Sequence, residues 1–345
     1  GPSLRYGATH DWPACGDPFR LRISRPIGRR RQEGKKRMAR NSTSTNTAAL
    51  SDRLDLYAEV TQTILAQMER GTLPWTRPWK TTVAPGLPMN ASTGNGYSGI
   101  NVVLLWLSGA VQGYSSSRWM TFLQAAQAGG HVRRGERGTM IVKASTYVPQ
   151  SERERSEVSE DDPRAVPFLK RYTVFNLDQI EGIEIPVQKA CAPVVANAAL
   201  DAFVTATGAD MRFGGNEAYY VPSRDYIQCP APQAFENAFD LFRVQSHELA
   251  HWTGAAHRLD RTFGQRFGDA AYQMEELVAE LAAAQICAVK GVPPTTRHAA
   301  YLQSWINIMK ADKRAIFTAA SHASRAVEFL LAAAETPVEE RPLAA

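Results

Sequence analysis

Apolar positions first fall into a helical rhythm just after residue 50. Leu54, Tyr57, Ile64, Leu65 and Met68 share one face of a helix expected near 51–70, which Gly71 stops. Residues 71–99 are rich in Gly and Pro and read as loop. "INVVLLWLSGAVQ" (100–112) reads as a buried helix, and "RWMTFLQAAQAGG", from Arg118, as another ended by Gly129-Gly130. The period then changes. "TMIVKASTYVP" and "RYTVFNLDQI" are β-branched and aromatic and read as paired strands, joined by a mobile acidic loop over 150–165. Periodicity lapses in "IEIPVQKACAP", which places a boundary near 183–193. Beyond it the pattern predicts a helix near 194–207 and two short strands in "AYYVPSRDYIQCP" around a Ser-Arg-Asp turn. Helices are expected over 232–253, with Phe235, Phe239 and Phe242 on one face, and near 269–290 and 312–334. The fold class is therefore α+β. A mixed helix and small-sheet domain (51–185) precedes a mostly helical one (190–335), between flexible tails over 1–50 and 336–345.

Composition changes this picture little. With 345 residues and 44% hydrophobic content, the chain can bury a sizeable core. It has no apolar run of the ~18 residues a membrane span needs. Four cysteines, Cys15, Cys191, Cys229 and Cys287, are widely separated and form no Cys-x-x-Cys pair. A reduced, cytoplasmic protein with no membrane partner is the expectation. The net charge of +5 is uneven. Residues 1–37 hold ten Lys/Arg against three Asp/Glu, so the basic balance comes from a tail whose composition suits disorder.

The chemistry gathers at "HELAHWTGAAHRLDR", 247–261. On a helix, residues i and i+4 share a face, so His247 and His251 can point two imidazoles at one ion. Glu248, beside the first, can take a proton from a water that the ion has made acidic, the catalytic role in His-Glu-x-x-His sites. Two sources compete for a third ligand. The spacing to His257 matches the metzincin pattern. A glutamate on the following helix, within "MEELVAELAAA", would be the gluzincin arrangement. Glu276 and Glu280 lie one turn apart on a face lined by Ala279 and Ala283, where small side chains let helices approach. A carboxylate at such a packed edge needs a partner, which favours Glu276 as ligand, with Glu280 behind it to orient a histidine. The expected cofactor is one Zn2+, or another divalent ion, per chain. His257 and Arg258 are candidate donors to an oxyanion, with Tyr219 and Tyr220 weaker ones.

Between residues 70 and 143, eight Lys/Arg accompany a single acid, Glu136. Arg77, Lys80, Arg118, Arg133, Arg134, Arg137 and Lys143 are interleaved with Trp75, Trp79, Tyr97 and Trp119. Cations for phosphates and rings for bases suit single-stranded nucleic acid.

"LPWTRPW", "NASTGNGYSGIN", "SRWMTF", "VRRGERGTMIVK" and "YTVFNLDQIEG" together resemble the N-terminal domain of ArdC-type antirestriction proteins, a domain also found in TraC-type plasmid primases. "YYVPSRDYIQCP", "HELAHWTG", "RLDR", "EELVAELAAA" and "ADKRAIFTAAS" resemble that family's C-terminal zincin-like metallopeptidase domain, the whole likeness running over roughly 50–335. The resemblance implies a single-stranded-DNA-binding domain joined to a metallopeptidase domain, in a protein of mobile elements that protects incoming DNA from restriction. It also implies a ligand in the "EELVAEL" helix, supporting Glu276 over His257. Two functions follow. One is a zinc peptidase acting on an unidentified protein. The other is a strand-coating protein whose metal site is structural.

Overall fold

The computed structural model describes residues 55–335 apart from 72, 76–85, 153–154, 156–165, 184–192, 265–269 and 294–300. Both expected flexible tails, most of the acidic loop and most of the boundary near 183–193 lie outside the described residues. Helix α1 (Leu56–Met68) begins where the Asp55 side chain accepts from the amides of Tyr57 and Ala58, and it buries Val60, Ile64 and Met68 at helical spacing. After the short strand β1 (Met89–Asn90), α2 (Ile100–Gln112) is buried along most of its length and ends at Gly113, whose φ of 72° suits a residue without a Cβ.

The segment from Arg118 departs from the expected single helix. Arg118–Met120 forms strand β2, and only Phe122–Gln127 is helical (α3). Thr121 and Gln124 cap each other's backbone, fixing the helix start there, while Trp119 and Met120 are held by pairing with a long strand. That strand is β5 (Val166–Asn176), antiparallel to β4 (Thr139–Tyr147) as the period-2 pattern predicted. The sheet order is β1-β2-β5-β4, beside a small pair of β3 (His131–Val132) and β6 (Ile180–Glu181).

In the second half, α4 (Pro193–Ala206) leads to β7 (Asp210–Phe213), β8 (Tyr219–Val221) and β9 (Tyr226–Cys229). The β8–β9 hairpin was expected. The parallel strand β7 was not, because four residues with one hydrophobic alternation give too short a signal. Helix α5 (Ala238–Trp252) starts later than expected. Asn237 caps it through the Asp240 amide, and Pro232 sits in a preceding 3-10 turn, so Phe235 lies outside the helix. Helices α6 (Ala271–Val289), α7 (Leu302–Ala311) and α8 (Ala315–Glu335) follow; the stretch around Met309 in α7 reads as helix-like in the sequence but without bounds.

Core residues of both halves form one buried cluster. Val60, Ile64, Val102 and Val103 belong with Leu249, Leu277, Leu281, Ala319 and Ala323. Hydrogen bonds also tie the halves, among them Thr61 Oγ1 to the Lys313 carbonyl (2.7 Å) and the Gly99 amide to Ser324 Oγ (2.8 Å). No helix among the described residues is long and apolar enough to cross a membrane.

Candidate functional site

Helix α6 is buried on nearly every side, and its Ala279 and Ala283 let α5 approach closely. The approach brings His247 and His251 of α5 against Glu276 of α6. One donor atom from each lies within 4.8 Å of the others. His247 Nε2 is 3.2 Å from His251 Nε2. The Glu276 carboxylate reaches the first at 3.5 Å and the second at 3.4 Å, one oxygen each. Burial raises the Glu276 pKa, but hydrogen bonds from both histidines outweigh it and hold the carboxyl well below its ordinary range. Burial likewise disfavours charge on His251, yet Glu275 and Glu276 raise it to about 10. The pocket therefore strongly favours positive charge. Two imidazoles and a carboxylate, buried and converging, fit one divalent ion.

Behind His251 stands a chain of contacts that sequence reading missed. His251 Nδ1 meets Glu275 Oε1 at 3.1 Å. Arg261, whose side chain is fully buried, grips the same carboxylate through Nε (2.7 Å to Oε2) and a terminal nitrogen (2.5 Å to Oε1). It also donates to the Ala250 carbonyl (2.7 Å) and Thr253 Oγ1 (3.1 Å), tying the end of α5 to the start of α6. Burial pushes Glu275 up, but Arg261 and His251 outweigh it and hold it at about 2. An acid kept ionised there would fix which imidazole nitrogen could face an ion. Gly254 makes room for this arrangement: a Cβ there would stand 2.9 Å from the Arg261 guanidinium and 3.1 Å from the His251 carbonyl.

Glu248 lies buried beside the cluster, and burial raises its pKa. The backbone amide of Tyr220 on β8 opposes that rise slightly. Strand β8 is one edge of the β7-β9-β8 sheet, so an open strand edge runs past the site. Glu280 is buried 3.8 Å from His247 Nδ1. Its pKa is pushed up to about 7, chiefly by burial, with a small opposing effect from the Trp75 indole. Two tyrosines close the rim. The Tyr272 and Tyr301 hydroxyls are 3.4 Å apart. Burial and the Glu276 charge raise both pKa values, so both hydroxyls stay protonated. Tyr272 precedes Glu276 by four residues on the same helix, a spacing that could have flagged it.

The other nominated residues fall elsewhere. His257 does not join the cluster: its Nε2 meets Asp225 at 3.2 Å, on an exposed turn. Arg258 is spent on the Asp225 carboxylate and the Tyr220 hydroxyl, with its guanidinium 3.9 Å over the Trp252 ring. It braces the β8–β9 hairpin against the end of α5. Among the nucleic-acid candidates, Trp75 and Trp119 are 1% exposed and offer no face to a base. Trp75 packs on Trp305 and Trp119 on Tyr114, each within a buried cluster. Tyr97 is half-buried against the same small cluster as Trp119. Arg133, Arg134, Arg137 and Lys143 are exposed and Arg118 half-buried, with Arg133 paired to Glu136 at 2.7 Å. Arg77, Trp79 and Lys80 lie outside the described residues.

A helix bearing His-Glu-x-x-His, an acid from the next helix and an edge strand alongside define a zincin-like metallopeptidase module. Family profiles agree. Residues 198–322 match the zincin-like metallopeptidase family, and 54–175 match the N-terminal domain of the anti-restriction factor ArdC. Crystal structures of the antirestriction protein ArdC from plasmid R388 superpose with TM-scores of 0.69 (metal-free) and 0.67 (Mn(II)-bound), at 41% identity. They cover 81% and 82% of this chain and 98% and 99% of theirs. An uncharacterized protein of Sinorhizobium fredii, y4eC, is 36% identical over 280 residues, 80% of this chain and 91% of that one. The DNA primase TraC of Escherichia coli is 34% identical over 300 residues, 83% of this chain but 28% of the primase. The chain belongs to the ArdC antirestriction family.

Proposed function

We propose that this protein is a metal-dependent peptidase carried on a body that binds single-stranded DNA, and that both activities serve antirestriction. The carrying observation is Glu248: a buried carboxylate beside two histidines and a second acid, Glu276. A site that merely stapled helices together has no use for such a group. His247, His251 and Glu276 would hold the ion, and zinc suits two imidazoles and a carboxylate, although the R388 relative was crystallised with Mn(II). When bound, the ion supplies Lewis acidity that makes water nucleophilic near neutral pH.

The chain's own residues do the rest. Glu248 takes the proton of the attacking water and delivers it to the leaving amine. The β8 edge receives the substrate as an added strand, laying the scissile bond over the Glu248 carboxylate. Tyr272 and Tyr301 are better placed than His257 and Arg258 to donate to the developing oxyanion. On the nucleic-acid side, the exposed cations Arg134, Arg137 and Lys143 attract phosphates.

The test is a protection assay in which DNA bearing restriction sites is challenged in the presence of wild type or Glu248→Gln. The amide keeps the size of the side chain but cannot accept the proton. The proposal expects Glu248→Gln to bind metal and DNA normally while losing protection and the cleavage of candidate restriction or repair proteins. Equal protection by the variant would show that coating the strand suffices, which is the second reading of this site.

A further inference from the structure

The burial of Trp75 and Trp119 leaves open which rings a DNA strand would stack on. The β4–β5 hairpin supplies an answer. Its register pairs Ile141 with Tyr172, Lys143 with Lys170, Ser145 with Phe168 and Tyr147 with Val166. Alternate residues share a face, so these eight side chains line one side of the hairpin. Among the described residues, every exposed large apolar side chain between 139 and 176 falls on that side: Tyr147 (53%), Val166 (38%), Phe168 (39%) and Tyr172 (36%). Tyr147 and Phe168 meet edge to face at 5.8 Å, and the Lys170 ammonium lies 5.4 Å over the Tyr172 ring.

Two features set this face apart from an ordinary solvated strand. Tyr147 and Phe168 pack together in the open beside Val166, and water gives them no reason to do so. Lys143 and Lys170 stand directly opposite each other, both exposed, with no acid among the face positions. Like charges so placed oppose strand pairing, and a bound anion would remove that cost. A cation pair with Phe168 and Tyr147 on one flank and Tyr172 on the other fits a chain whose phosphates alternate with flat rings. Same-side neighbours along a strand stand about 6.6 Å apart, so successive bases of an extended strand can meet successive rings.

We infer that this hairpin face is the stacking platform for single-stranded DNA, with Tyr147, Phe168 and Tyr172 under the bases and Lys143 and Lys170 on a phosphate. The inference rests on the DNA-binding reading above and assigns it to residues absent from the sequence candidates, Lys143 excepted.

The test titrates a fluorescein-labelled oligo(dT) with full-length wild type, a Tyr147→Ser/Phe168→Ser/Tyr172→Ser variant and a Lys143→Ala/Lys170→Ala variant. Removing each ring should weaken binding about tenfold, and the triple variant far more, with the salt slope nearly unchanged. Removing both lysines, which share one phosphate, should lower the log–log salt slope by about 0.7, the share of one phosphate contact on single strands. It should leave the thermal midpoint unchanged or higher, since the like-charge pair is gone. Crosslinking to an oligonucleotide carrying bromodeoxyuridine gives a second readout that needs no substitution, and adducts should map to the three rings. Wild type that fails to bind would sink both this inference and the reading beneath it. Wild type that binds, with a folded ring variant of equal affinity and adducts elsewhere, would refute the platform alone. A ring variant that binds DNA normally but turns a dimer into a monomer would make the face a contact between two copies.

Discussion

Glu275 should control how tightly the ion is held, although it does not reach the ion itself. Glu275→Gln preserves shape but replaces the ionised acceptor behind His251 Nδ1 with a neutral amide. Losing such a partner behind a ligating histidine weakens metal binding by about 10- to 100-fold, or roughly 1.4–2.7 kcal/mol. A second cost is separable. Arg261 is fully buried and uses Glu275 as its counter-ion, and breaking a buried pair from one side destabilises a fold by roughly 3–5 kcal/mol. Glu275→Leu should therefore lose both stability and metal, whereas Glu275→Leu/Arg261→Met removes the stranded charge and should recover most of the stability without recovering the affinity. The assay is thermal unfolding with chelator and with added zinc, beside competition against a colorimetric chelator. An ion at a hundred times its Kd stabilises by about 2.7 kcal/mol, so the metal-induced rise in Tm should shrink in all three Glu275 variants. If the double variant binds metal as wild type does, Glu275 serves only to neutralise Arg261 and the reasoning fails.

Gly254→Ala would drive a Cβ into the Arg261 guanidinium and the His251 carbonyl. We expect a loss of about 1–3 kcal/mol together with weaker metal binding, checked by the same two assays. Asp225 is held at about 2 by the Arg258 guanidinium, below its ordinary 3.8. Its folded pKa is depressed, so the stability it contributes is complete above the unfolded value and fades as pH falls through about 2. With Asp225 40% exposed, solvent screening leaves about 1 kcal/mol. In chemical denaturation between pH 5 and 2, Asp225→Asn should lose that share of the pH dependence, and an unchanged slope would count against the pair. Tyr272→Phe or Tyr301→Phe should lower kcat about a hundredfold with metal content and KM little changed. A rise in KM alone would make the tyrosines substrate contacts. A fragment of residues 55–183 would expose Val60, Ile64, Val102 and Val103, which the second half covers. It should lack a cooperative thermal transition, and a sharp one would show that the first half folds alone.

Much of the fold was legible because long elements announce their period. The helix over 100–112 and the β4–β5 hairpin carry enough repeats for helix and strand to separate. The errors fall where the signal is short or the deciding force is distant. β7 has four residues, and β2 was read as helix because its three residues adjoin a real helical pattern. Trp75 and Trp119 were read as DNA contacts because their charged neighbours suggested a groove. Whether a ring faces water or core depends on partners such as Trp305, far away in sequence. Three rings that do face water, Tyr147, Phe168 and Tyr172, lie on strands whose inner and outer faces the alternation alone could not tell apart.

The metal motif shows the limit of spacing most clearly. Read as letters, "HELAHWTGAAH" carries the glycine and third histidine of the metzincin pattern. In the structure both residues have other physical reasons to be there. Gly254 is small because Arg261 passes close to it. His257 faces Asp225 at the exposed end of the turn. The turn leads instead to Arg261, whose guanidinium reaches Glu275 on α6, next to Glu276. One buried arginine thus fixes the register between the helix carrying the histidines and the helix carrying the acid. The letters alone showed that an ion could be held by His247 and His251. Proposing Glu276 rather than His257 rests on the path of the chain after Gly254, and that path is set by where Arg261 can find a counter-ion.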